Sequence, residues 1–216
     1  MLKIKKLLYM YLTNVKFRVN FSLNITLILN ALYSVFQLFL GIRYGSVWNT
    51  SFSAYYMMLA LMRFYLLRYT KDHQPCEDMK KELQIYRFCA VVLLLLNVIL
   101  SVIVFYITWQ NKGFLHNNLT TVVITIYTTV SIVISINNLV KYRKYKSPAL
   151  NAVKIIGVTS SAVSLLTLET ALFEEQNKTR QIIAATTGFV VISFVLATAV
   201  YMIIFASKKL KTVSEK

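Results

Sequence analysis

Long runs of apolar residues, separated by short polar stretches, organise this chain into six blocks at 22–42, 51–67, 88–108, 119–140, 152–172 and 182–206. The runs do not alternate with period two, and most approach the ~20 residues a helix needs to cross ~30 Å of hydrocarbon. Only helices and closed barrels satisfy their own backbone in lipid. The pattern therefore predicts an all-α membrane protein, a bundle of six transmembrane helices. The second block is the shortest and carries Arg63. No block has an internal proline, so the helices are expected to be continuous. Ahead of the first block, Ile4, Leu8, Tyr11, Val15 and Val19 recur at helical spacing among Lys3, Lys5, Lys6, Lys16 and Arg18. That pattern predicts a short amphipathic N-terminal helix over 1–21 on the cytoplasmic membrane face. A disordered basic leader fits the same residues. Residues 207–216 read as a basic cytoplasmic tail.

Composition agrees with lipid as the solvent: 57% of residues are hydrophobic, 15% are charged, and the mean hydropathy is +0.58. Soluble domains carry about 25% charged residues. The net charge of +16 would suggest nucleic acid in a soluble chain, but the basic residues lie between the apolar blocks. Segments 1–21, 68–87, 141–146 and 207–216 hold eighteen Lys and Arg, whereas the intervening loops hold four: Arg43, Lys112, Lys178 and Arg180. Under the positive-inside rule this places both termini in the cytoplasm and makes 51–67 a span. The partner implied is the lipid bilayer, not nucleic acid. The basic start leads into an apolar run of full spanning length, so the first span is expected to remain as an uncleaved anchor.

Chemistry in the sequence is sparse. No catalytic or phosphate-binding motif occurs, so no enzyme activity is expected. His73 and Cys76 are two possible metal ligands without a second pair, so neither a metal nor a cofactor is expected. Both cysteines, Cys76 and Cys89, are expected as free thiols. The sequons at Asn49, Asn118 and Asn177 are read as chance.

Polar residues inside the blocks are more informative. Asn30, Ser34, Gln37 and Gly41 share one face of the first span, Asn97 and Ser101 share a face of the third, and Thr121, Thr125 and Thr128 lie along the fourth. Gly157, Ser160, Ser161, Ser164 and Thr167 give the fifth a small, polar side. Such faces either hold helices together or line a polar path. The candidate path comprises Asn30, Ser34, Gln37, Asn97, Ser101 and Ser164, formed mainly by spans one, three and five. Arg63, about a turn from the cytoplasmic end of its span, is expected to snorkel to a charged inner mouth. Glu169 marks the outer one, where it either draws cations or pairs with Lys178 or Arg180.

Some stretches resemble a known family. Tyr55-Tyr56 with Leu59, Arg63 and Leu66-Leu67-Arg68 is similar to the second span of an uncharacterised family of six-span membrane proteins from Gram-positive bacteria. Gln110-Asn111-Lys112-Gly113, the run Lys141–Pro148, Lys154 and Ser164–Ala171 resemble it too, so the likeness covers roughly spans two to five. The resemblance implies a bacterial plasma membrane and no known activity. It also implies glutamine at the position of Glu169. The function expected from the sequence is a small transport or permease component that moves a small solute or ion between helices. It would work as a homo-oligomer or with a partner membrane subunit. The alternative is a non-transporting scaffold or regulatory subunit that packs against partner helices.

Overall fold

A computed structural model describes the backbone over 15–110, 118–172 and 178–214, and the side chains over 16–105, 119–172 and 182–213. Every regular element among these residues is an α-helix: α1 Val15–Tyr44, α2 Val47–Asp72, α3 Met79–Gln110, α4 Asn118–Lys141, α5 Pro148–Leu172 and α6 Lys178–Ser214. Five of them, all but α2, are long and apolar enough to cross a membrane, which fits a membrane protein. The expected N-terminal helix falls largely outside the described residues, and residues 15–21 are continuous with α1.

Local chemistry sets the helix ends. Gly45 takes a positive φ of 60° between α1 and α2, a conformation that costs glycine little. Ser46 then caps α2, accepting from the Asn49 N–H at 3.4 Å. Asp78 caps α3, taking the Lys81 N–H on its carboxylate at 3.1 Å. Lys80, Lys81 and Arg87 thus belong to the first turns of α3, where a loop was expected. Ser147 accepts from the Leu150 N–H at 3.3 Å and precedes Pro148, a residue suited to the first helical position. At the far end, α6 runs through Ser214, so most of the expected tail is helical.

The helices pair two by two, two of the pairs being hairpins of consecutive helices. α1 packs along α2, α4 along α5, and α3 along α6. α5 also touches α2, α3 and α6. It is the most enclosed apolar helix, with 61% of its most apolar stretch buried against 28% in α4 and α6. Small residues set the close approaches: a Cβ on Gly188 of α6 would stand 2.6 Å from Val104 Cγ1 of α3.

Contacts between chain ends gather one face of the bundle. Thr70 near the end of α2 donates to Asn20 near the start of α1 at 2.8 Å. Ser22 donates to Asn138, near the end of α4, at 2.9 Å. Tyr86 near the start of α3 meets Phe205 near the end of α6, ring centroids 6.1 Å apart. Glu82, fully buried on α3, accepts from Ser147 Oγ at 2.5 Å, Cys76 N at 2.7 Å and Ala149 N at 3.4 Å. It ties the α2–α3 loop to the start of α5. The described basic residues of the cation-rich segments all lie at this end.

α2 has a polarity that hydropathy alone misjudges. Its buried side includes Asn49, Ser53, Tyr55, Tyr56, Arg63 and Thr70. Its exposed side presents Met57, Met58, Leu61, Phe64 and Tyr65. The inward side thus mixes these polar groups with Trp48, Phe52, Leu59 and Leu66, while the outward side over 57–65 is apolar, unlike a helix on a soluble core.

Candidate functional site

The site is built where the α1–α2 hairpin meets the α4–α5 hairpin. Arg63 is 5% exposed and turns into the bundle. Its Nη1 donates to the Thr26 carbonyl at 2.9 Å and to Asn30 Oδ1 at 3.3 Å. The snorkelling position expected for Arg63 is therefore not adopted, because α2 directs its polar side at α1 and not at the inner mouth. Tyr127 of α4 donates to the same Asn30 Oδ1 at 2.8 Å and lies 3.4 Å from Ser160 Oγ of α5. Asn30 thus accepts from two helices with one oxygen, while its Nδ2 is buried without a partner.

A crevice of mixed lining extends from this cluster toward the basic end. Polar groups of Thr26, Asn30, Arg63, Tyr127, Ser131, Ser135 and Asn138 alternate there with the apolar side chains of Leu23, Leu29, Ile134 and Val153, beside Gly157. From Tyr127 to Asn138 the lining follows α4 for about 16 Å at 1.5 Å per residue, and Asn138 stands one turn before Lys141. Gly157 makes room: a Cβ there would come within 2.9 Å of Ser135 Oγ, a hydroxyl that is itself buried without a partner. Among the described residues no acidic side chain lines the crevice. The free space enclosed is about 10 Å³, room for about one water.

Beyond Asn30 the crevice is closed by aromatic rings. Tyr33 and Tyr127 stack with centroids 3.8 Å apart, and Tyr56 stands edge-on to both at 4.7 and 5.5 Å. Gln37 donates to the Tyr33 hydroxyl at 2.7 Å, and its own Oε1 is buried without a partner. No known protein family, curated protein or solved structure matches this chain. The geometry alone therefore speaks for the site.

The other candidates are dispersed. Ser34 donates to the Ser53 carbonyl at 2.8 Å, joining α1 to α2. Ser164 donates to the Ser161 carbonyl at 2.9 Å and accepts on its own carbonyl from Thr128, joining α4 to α5. Asn97 is buried on α3 with its Oδ1 unpartnered, and Ser101 bonds the Asn97 carbonyl. Gln37, Asn97 and Ser101 lie outside the lining of the crevice. Glu169 accepts from Thr187 of α6 at 3.2 Å. The side chains of Lys178 and Arg180 lie outside the described residues. Both cysteines are free, Cys76 exposed and Cys89 buried. No cluster of metal-ligating side chains occurs among the described residues.

Sequence reasoning missed Tyr127, Ser131, Ser135 and Asn138, the inward face of α4. They recur at i, i+4, i+8 and i+11, a helical stripe that was available. The threonine face chosen instead is partly outward: Thr125 is exposed and bonds its own helix at the Thr121 carbonyl.

Proposed function

We propose that this chain is a six-span plasma-membrane protein, both ends cytoplasmic, that serves as a small transport component. The observation that carries the reading is the crevice, a narrow space that holds the buried Arg63 and Asn30 with a row of polar side chains of α4 reaching toward the cation-rich end, and that stops at the Tyr33–Tyr56–Tyr127 cluster. A blind crevice with an aromatic closure is what a closed transport path would present from inside. Both of its walls are helical hairpins, and α1 meets α4 over only a short stretch. Rocking of one hairpin against the other would widen the passage, part the stacked Tyr33 and Tyr127, and leave each hairpin's own packing intact.

The inward polarity of α2 supports its role as the sixth span. At 26 residues it is about 39 Å long, enough for the hydrocarbon core. The gathering of basic residues at one end supports the orientation. Reconstituted into liposomes, the purified protein should pass small solutes, and Arg63→Gln should reduce that flux at least tenfold. Equal flux through protein-containing and empty liposomes would remove the transport reading.

A second reading, a membrane scaffold, is favoured by one observation: the enclosed space holds no more than about one water. It predicts a stoichiometric membrane partner on co-purification and no flux.

A further inference from the structure

We propose that the crevice is a binding site for a small inorganic anion of halide size, an assignment that rests on the transport reading for its purpose but not for its chemistry. A guanidinium in a membrane interior is expensive to keep without a counter-charge. Asp and Glu are the usual partners, and among the described residues none lines this cavity. The hydrogen-bond partners of Arg63 among those residues are a backbone carbonyl and a carboxamide oxygen, both neutral. The positive charge is solvated but not balanced.

Two further groups in the lining are donors without a partner. Asn30 is 1% exposed and leaves Nδ2 free, and Ser135 is 4% exposed and leaves Oγ free. Its hydroxyl proton can rotate toward an acceptor. The guanidinium and the amide N–H therefore meet at the Asn30 end of the crevice, and the hydroxyl lies about two turns along α4 toward the basic end. Such a set suits a ligand that only accepts, and the uncompensated charge makes that ligand an anion. A cation would meet Arg63 and no carboxylate.

Size narrows the class. A space of about 10 Å³ takes one water-sized particle; a monatomic halide, somewhat larger than water, needs only a small widening, whereas sulfate, phosphate or a carboxylic acid needs the hairpins to separate. The basic end of the bundle raises the local concentration of anions at the entrance.

The test is thermal unfolding of the full chain in detergent, titrated with sodium chloride or bromide against gluconate at constant ionic strength. Wild type should show a saturating rise in Tm with halide, and line broadening of the chloride-35 resonance should be competed by bromide. Asn30→Asp supplies an internal counter-charge to Arg63 while keeping the oxygen that Tyr127 bonds. That variant should fold and lose both responses. A halide response in Asn30→Asp equal to that of wild type would overturn the site, as would a wild-type response no greater in halide than in gluconate. Halide binding without liposome flux would uphold the site and remove the transport reading. Flux of a neutral or cationic solute with no halide response would do the reverse.

Discussion

At Arg63 the decisive quantity is desolvation. A buried group must find partners inside the protein, and here they are the Thr26 carbonyl and Asn30 Oδ1. Tyr127 steadies the second of these. Tyr127→Phe keeps the stack on Tyr33 but removes the hydroxyl, which should cost about 0.5–1.5 kcal/mol in reversible denaturant unfolding in micelles. An unchanged midpoint would show that the hydroxyl bond to Asn30 contributes nothing net. Outside the membrane, burial and the neighbouring Glu82 push the Cys76 thiol up from its ordinary value, with Lys209 opposing. The thiolate is the reactive form, so a raised value leaves Cys76 protonated where an ordinary cysteine already reacts. Its alkylation by iodoacetamide should rise through a midpoint above that of a free cysteine, and Glu82→Gln should move the midpoint down. That Arg63 was the deepest cation was legible in the sequence. Its direction was not, because snorkelling and inward bonding need the same residue at the same depth and differ only in which helix lies opposite.

Among the elements, α3 and α6 depend on small residues more than on polar bonds. Gly188 lets the two backbones approach against Val104. Gly188→Ala should therefore destabilise the protein by roughly 1–3 kcal/mol, as overpacking does, and adding Val104→Ala should recover most of the loss. If the double variant is no better than the single one, the clash is not the cause. The existence of each helix was readable from apolar runs, because length and hydropathy are intrinsic to a segment. The extensions were not. Lys80, Lys81 and Glu82 are polar, and hydropathy ends the span where the lipid ends, whereas the helix continues on the Asp78 cap and the Glu82 contacts. For α2 the difficulty was opposite: its buried Arg63, Asn49 and Tyr pair lower its hydropathy, and only the placement of neighbours reveals that these face inward.

For the molecule as a whole, charge asymmetry was the legible feature and helix partnership the illegible one. Membrane helices find partners through shape and a few hydrogen bonds, so nothing in the apolar runs said that α3 would lie along α6 and not along its chain neighbour α4. The crevice was misplaced for the same reason: Asn97 sits on a helix of another pair. The orientation is open to a direct test. A membrane-impermeant maleimide applied at alkaline pH should label Cys76 in inside-out vesicles and leave it unlabelled in intact cells. Labelling from the outside would invert the topology and turn the crevice toward the exterior.

The hairpin pairing also orders events during synthesis. α2, the least apolar helix, emerges directly after α1, the helix it packs along most. It reaches the bilayer with its companion already there, so the polar side that would resist insertion alone enters covered. α3 has no such neighbour. Its main companion is α6, the last described helix to be made, so α3 must remain half-covered in lipid while α4 and α5 are translated. Among the described helices the assembly thus waits for α6, and a chain cut short before α6 would keep the Arg63 cluster yet lack the α3–α6 pair that packs on α5.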